Sequence, residues 1–101
     1  MRTASSIRLE MYLVDVLLRD LVGHDRSAPA YLIFLYLYAQ TFGQSQRSVK
    51  LSLARLAEAT GLSKSAVQSA LRILYRRKLI RANRASRTAV PEYFIQRVWA
   101  R

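Results

Sequence analysis

From Leu53 to Arg72 the chain reads Leu-Ala-Arg-Leu-Ala-Glu-Ala-Thr-Gly-Leu-Ser-Lys-Ser-Ala-Val-Gln-Ser-Ala-Leu-Arg, and this run restricts the fold more than any other part. It is helix-forming on both sides of one glycine. Ser52 and Ser63 stand where each helix would start, placed to accept from the orphan amides of a first turn. Gly61 supplies the positive φ that a reversal within a few residues requires. Two short helices crossing steeply also need a small residue at the contact, Ala57, and a branched apolar residue beneath it, Val67. Val67, Ala70, Leu71 and Leu74 form an i, i+3, i+4, i+7 set, and with Leu56 and Leu62 they complete an inner face. The spacing predicts helices over 53–60 and from Ser63 to about Arg77, joined by a tight turn at Gly61–Leu62.

With that inner face buried, the second helix turns Ser65, Gln68, Ser69, Arg72 and Arg76 outward, with Lys64 in its exposed first turn. No acid lies on this surface. Gln can pair bidentately with adenine, Arg with guanine, and Ser with several bases. The N-terminal turn around Ser63 and Lys64 and the basic side chains also suit phosphates. The charge of the whole chain points the same way. Residues 1–45 hold four arginines and four acids, whereas residues 46–101 hold 13 Lys/Arg against Glu58 and Glu92, so the second half carries the entire net charge of +11. Such a division favours a polyanionic partner for the second half over a basic surface kept for solubility.

The rest of the chain supplies a frame. Ile7, Met11, Val14, Leu18 and Leu21 predict an amphipathic helix over 7–22, capped by Ser5 or Ser6, ended by Gly23 and supported by an Asp15–Arg19 pair at i, i+4. Leu9, Leu13, Val16 and Leu17 widen its apolar stripe, which suggests a dimerisation element slightly more than packing on its own domain. Ser27 and Pro29 mark the start of a second helix that runs to about Phe42, apolar nearly all round and so expected to be largely buried. Val49–Leu51 reads as a short strand. Leu79 to Trp99 reads as two strands around a polar tip, Asn83–Thr88, with Tyr93, Ile95 and Trp99 on one face and Pro91 at an edge or a strand start. The expected division is an N-terminal helix and connection over 1–27 and a main domain over 28–101.

The run from Leu53 to Ile80 resembles the helix-turn-helix of bacterial winged-helix regulators of the MarR-like and GntR-like kind. Ala57, Gly61, Ser63, Val67, Leu71 and Leu79–Ile80 carry the match, which extends over roughly residues 48–98. The resemblance implies a mainly α fold with a small β-hairpin wing, an α+β winged helix-turn-helix with an extra N-terminal helix. It implies a wing that touches the minor groove or phosphates, where Arg81, Arg84 and Arg87 lie. These families often place glycine just before Leu-Ile, but here the residue is Lys78, which disfavours positive φ and suggests a differently shaped helix end.

Other chemistries find little to build on. The chain has no cysteine and one histidine, His24, so neither disulfides nor a transition-metal site are expected. The three glycines lie far apart, so no phosphate-binding loop occurs, and the serines of the helical run have no base in reach. Neither an enzyme nor a cofactor is expected, and the length leaves no room for a separate effector domain. The N-terminus shows no signal peptide. The longest apolar stretch, Ala28–Ala39, is too short for a bilayer. The expectation is a cytoplasmic, nucleoid-associated protein that binds double-stranded DNA as a homodimeric transcriptional regulator. Its DNA-binding residues on the recognition helix are Ser63, Lys64, Ser65, Gln68, Ser69 and Arg72, with Arg76, Arg81, Arg84 and Arg87 on the backbone or wing. The alternatives are a winged-helix module of a plasmid or phage replication or partition system, and a winged helix that meets an acidic protein.

Overall fold

The computed structural model describes residues 6–100; Ser5, one of the two expected caps, lies outside them. After a π-rich helical segment at the N-terminus come helix α1 (Ala28–Thr41), a 3-10 turn (Phe42–Gln44) and strand β1 (Val49–Lys50). Helices α2 (Leu53–Thr60) and α3 (Lys64–Arg76) follow, then strands β2 (Ile80–Asn83) and β3 (Glu92–Ile95). The strands form one antiparallel sheet in the order β1-β3-β2. Val49 lies opposite Tyr93, and Ile80 opposite Ile95. The described residues form an α+β architecture of four helical segments and a small sheet. Among the described residues no helix is long and apolar enough to cross a membrane.

Serine caps start all three α-helices. Ser27 Oγ accepts from the Ala30 amide at 3.0 Å, Ser52 Oγ from Arg55 at 3.1 Å and Ser63 Oγ from Ala66 at 3.1 Å. Each bond satisfies an amide that has no partner within its helix, a contribution of about 1 kcal/mol. Gly61 ends α2 at φ 78°, in the left-handed region the reversal needs. The inner face of α3 is then buried through Val67, Ala70, Leu71 and Leu74 against Leu56 and the apolar side of α1. Ile33, Phe34 and Leu37 of α1 lie at the centre of this core. Leu32 remains exposed and Leu35 and Tyr36 half-buried, so α1 is less enclosed than its composition suggests.

The end of α3 overturns one expectation. Lys78 adopts φ 59° despite its side chain. The Leu79 amide donates to the Leu74 carbonyl and the Lys78 amide to that of Tyr75, each at 3.0 Å. These are the two bonds of a Schellman end, the motif that usually takes glycine at this position. Lysine is held there because the next two residues, Leu79 and Ile80, are buried as the chain enters β2. That burial, several kcal/mol for two large aliphatic side chains, exceeds the roughly 1–2 kcal/mol disfavouring a left-handed L-residue.

The N-terminal segment differs more from expectation. Helical structure begins at residue 11 rather than 7, so Ser6 caps nothing, and it runs through Gly23 to His24. Two stretches, Leu13–Leu17 and Asp20–His24, are π-helical. Leu13, Leu17 and Leu21 are buried, whereas Met11, Val14 and Leu18 of the expected stripe are exposed. The period explains the difference. An α-helix drifts by about 40° over four residues, while interspersed wider turns return every fourth residue to the same line. Ile7 lies instead against Gly43, where an added Cβ would stand 2.6 Å from the Ile7 Cγ2. No Asp15–Arg19 ion pair forms among the described residues. The segment is tied to α1 by the Tyr31 hydroxyl, which donates to the Leu13 carbonyl at 3.0 Å.

The C-terminal end also departs from the expected pattern. Strand β3 stops at Ile95, so Trp99 does not share a strand face with Tyr93. A turn carries Trp99 back to the N-terminal segment, where it stacks on Tyr12 at 4.6 Å between ring centroids and donates to Glu10 at 3.0 Å. Pro91 precedes β3, and its carbonyl accepts from the Leu51 amide at 3.2 Å.

Candidate nucleic-acid interface

The α3 surface is built by its register. Fixing Val67, Ala70, Leu71 and Leu74 inward leaves Lys64, Ser65, Gln68, Ser69, Arg72 and Arg76 exposed, together with the cap Ser63. Ser63 and Ser65 hydroxyls lie 3.3 Å apart at the N-terminal turn, and Arg72 Nη2 donates to Ser69 Oγ at 3.2 Å. The Ser69 contact holds the guanidinium along the helix surface without neutralising it. No carboxylate occurs anywhere on α3.

Beside this face runs an open groove of about 480 Å³, bounded by α3 on one side and the β2–β3 loop on the other. Gln68 and Arg72 enter it from the helix, Arg84 and Thr88 from the loop, and Tyr75 and Tyr93 form part of its wall. The fold thus brings together two of the expected helix residues and one of the expected hairpin arginines. Arg84 Nη1 donates to the Arg87 carbonyl at 2.9 Å. That bond fixes the shape of the tip and leaves both guanidinium charges without an acidic partner. Tyr75 was not among the expected residues. Its position three after Arg72 places it on the same helical side, which was the available signal. Burial, with a further contribution from the adjoining Tyr75, pushes the Tyr93 phenol up to about 12. Burial raises Tyr75 as well. Both phenols therefore stay protonated near neutral pH, and arginine supplies the charge of the groove.

Two expected contacts lie elsewhere. Arg81 projects from the sheet surface opposite the buried Ile80 and stacks over the Phe94 ring, 4.0 Å from its centroid. Arg76 borders a hollow with Asp20, His24, Asp25 and Arg77 rather than the groove. There Arg77 places Nη1 2.9 Å from both Asp25 carboxylate oxygens and Nη2 3.5 Å from Asp20. Burial alone would raise the Asp25 pKa, but the His24 hydrogen bond and the Arg77 charge and hydrogen bond together outweigh it and hold the carboxyl below its ordinary value. Of the two acids in the basic half, Glu58 pairs with Arg55 and Glu92 accepts from the Ser48 hydroxyl.

A third depression, about 440 Å³ and almost wholly apolar, lies between Ile7 and Leu9, the outer side of α1 and Thr60. It offers no charged group and is separate from the basic groove.

Comparison with protein-family models, curated proteins and solved structures finds no match to this chain.

Proposed function

We propose that the chain binds double-stranded DNA sequence-specifically, as a transcriptional regulator of winged helix-turn-helix type. Helix α3 lies in the major groove and the β2–β3 hairpin serves as the wing. The observation that carries this reading is the acid-free outer face of α3, opening onto a groove that Arg84 reaches from the opposite wall. Gln68 and Arg72 read base edges, the Ser63–Ser65 turn and Lys64 face a phosphate, and Arg84 and Arg87 track the backbone beside the helix. Arg81, stacked on Phe94, belongs to the outer side of the wing and adds long-range attraction.

The test uses the full chain with a random duplex and with duplexes selected from a random pool. Affinity for the random duplex falls steeply with salt, with a log–log slope of about −0.9 per phosphate neutralised. Gln68→Ala and Arg72→Ala each reduce the preference for selected over random duplex by about 1–3 kcal/mol. Arg84→Ala weakens both alike and flattens the salt slope. Binding that does not respond to salt, or equal losses on both duplexes for all three variants, overturns the assignment. Salt-dependent capture of an acidic protein without duplex binding would favour the protein-interaction alternative.

A further inference from the structure

The N-terminal segment has a second apolar side that none of the described residues covers. Leu13, Leu17 and Leu21 are fully engaged with the core, yet Met11 is 64% exposed, Val14 44%, Leu18 40% and Val22 40%. The near-fourfold period that aligns the three buried leucines also aligns Val14, Leu18 and Val22 into one strip along the helix flank. Met11, Asp15 and Arg19 form the ridge beside it by the same spacing. Isolated exposed apolar residues are ordinary, but a line of large ones along one helix side marks a contact surface.

We propose that this strip is the interface between two copies of the chain, packed antiparallel about a two-fold axis midway along the helix between Asp15 and Arg19. Two observations select a second copy over other occupants. The first is charge distribution. Residues 1–45 balance four arginines with four acids, while the +11 resides in residues 46–101. Two copies meeting through the N-terminal segment keep their basic halves apart, whereas contact through the basic halves is opposed by like charge.

The second observation is the ridge. Asp15 and Arg19 are both exposed, and neither has an ion-pair partner within the described chain. In an antiparallel, two-fold contact the same flank of each helix meets its own copy. Asp15 of one molecule then faces Arg19 of the other, and the pair occurs twice. An acid and a base four residues apart are self-complementary in that arrangement and in no parallel one. The inference is independent of DNA binding, because none of these residues borders the basic groove.

Sedimentation of the purified full chain across a concentration series tests the proposal, with thermal unfolding followed alongside. The wild type passes from monomer to a species of about twice the 11.6 kDa chain mass. Leu18→Glu remains monomeric. Asp15→Arg weakens association roughly tenfold, since two attractive exposed pairs become repulsive. The double change Asp15→Arg with Arg19→Asp restores association, because it recreates both pairs with their signs exchanged. At concentrations low enough that the wild type is monomeric, the exposed charge variants unfold at the wild-type temperature, which separates an interface effect from misfolding. A wild type that is monomeric throughout, a dimer indifferent to Leu18→Glu, or a double variant no better than the single one overturns the proposal. The duplex-binding test above reads a different surface and stands or falls separately.

Discussion

Arg72 and Arg77 lie five positions apart, one within α3 and one capping its end, and the molecule uses them in opposite ways. Arg77, with its side chain 30% exposed, grips Asp25, whose side chain is 8% exposed, and reaches Asp20 as well. Arg72 donates to a serine hydroxyl and has no acidic partner among the described residues. The same contrast extends over the chain. Arg97 contacts Glu10 at 3.4 Å, so acids of the neutral half neutralise those basic-half arginines that face the seam. The cations turned toward the groove receive no such partner. An arginine within reach of an acid of the neutral half is committed to holding the two halves together, and one without an acid remains available to an external anion. The seam is closed further by the Trp99–Glu10 hydrogen bond.

The strongest way to break this contrast is to exchange the fates of the two residues. Arg77→Ala leaves Asp25 largely buried and deprived of its main counter-charge, and is expected to destabilise the fold by about 2 kcal/mol, less than a wholly buried pair because Arg77 is partly solvated. Duplex affinity per folded molecule stays unchanged. Arg72→Ala does the reverse: stability stays within about 0.5 kcal/mol while duplex discrimination falls. Denaturant titration of both variants beside duplex binding gives the comparison. If Arg77→Ala weakens binding while folding is intact, the division between seam and groove is wrong.

That division was only half legible in the sequence, and the reason is range. Ser27, Ser52, Ser63 and Gly61 act on amides or dihedrals within a few positions, so their roles follow from local rules. The outward placement of Gln68 and Arg72 follows from an undistorted 3.6-residue period. Arg77 could not be assigned this way, because Asp25 is 52 positions distant in the chain. The N-terminal face was misread for a related cause. Its turns are widened where it packs on α1, and a stripe laid out at α-helical pitch selects Met11, Val14 and Leu18, which solvent reaches. Strand alternation places Arg81 and Ile80 on opposite sides, yet only the pairing of β2 with β3 brings the Phe94 ring under Arg81.

Acid sharpens the seam with a smaller effect. Asp25 is held below its ordinary pKa in the fold, so its charged form stabilises the native state above the unfolded carboxylate value of about 4. That contribution disappears as pH falls through the lower folded value. In Arg77→Ala the His24 hydrogen bond still holds the carboxyl down, but the Arg77 charge and hydrogen bond are gone, so burial is less fully opposed and the folded value rises. The stability gap between wild type and Arg77→Ala is therefore widest near neutral pH and narrows below about pH 4, by an amount on the order of 1 kcal/mol. Thermal unfolding of both proteins from pH 7 to pH 3 measures it. A gap of constant size across that range would mean that the Asp25 charge contributes nothing to the seam.

Lys78 offers the smallest and most local change, at the junction where the arginine of the seam hands the chain to the wing. Its φ of 59° is disfavoured for any side chain with a Cβ. Lys78→Gly removes that opposition but also gives the unfolded chain more freedom, an offset of about 0.5–1 kcal/mol. The net expectation is a gain in stability of less than about 1 kcal/mol, with the amides of Lys78 and Leu79 still donating to Tyr75 and Leu74. Because the lysine side chain is exposed and lies outside the groove, discrimination between selected and random duplexes should stay as it is. Hydrogen exchange at the Leu79 amide checks the local half of the expectation, and denaturant titration the global half. Faster exchange at Leu79 in the glycine variant would show that the lysine side chain itself, and not the buried Leu79–Ile80 pair, holds the helix end in its left-handed turn.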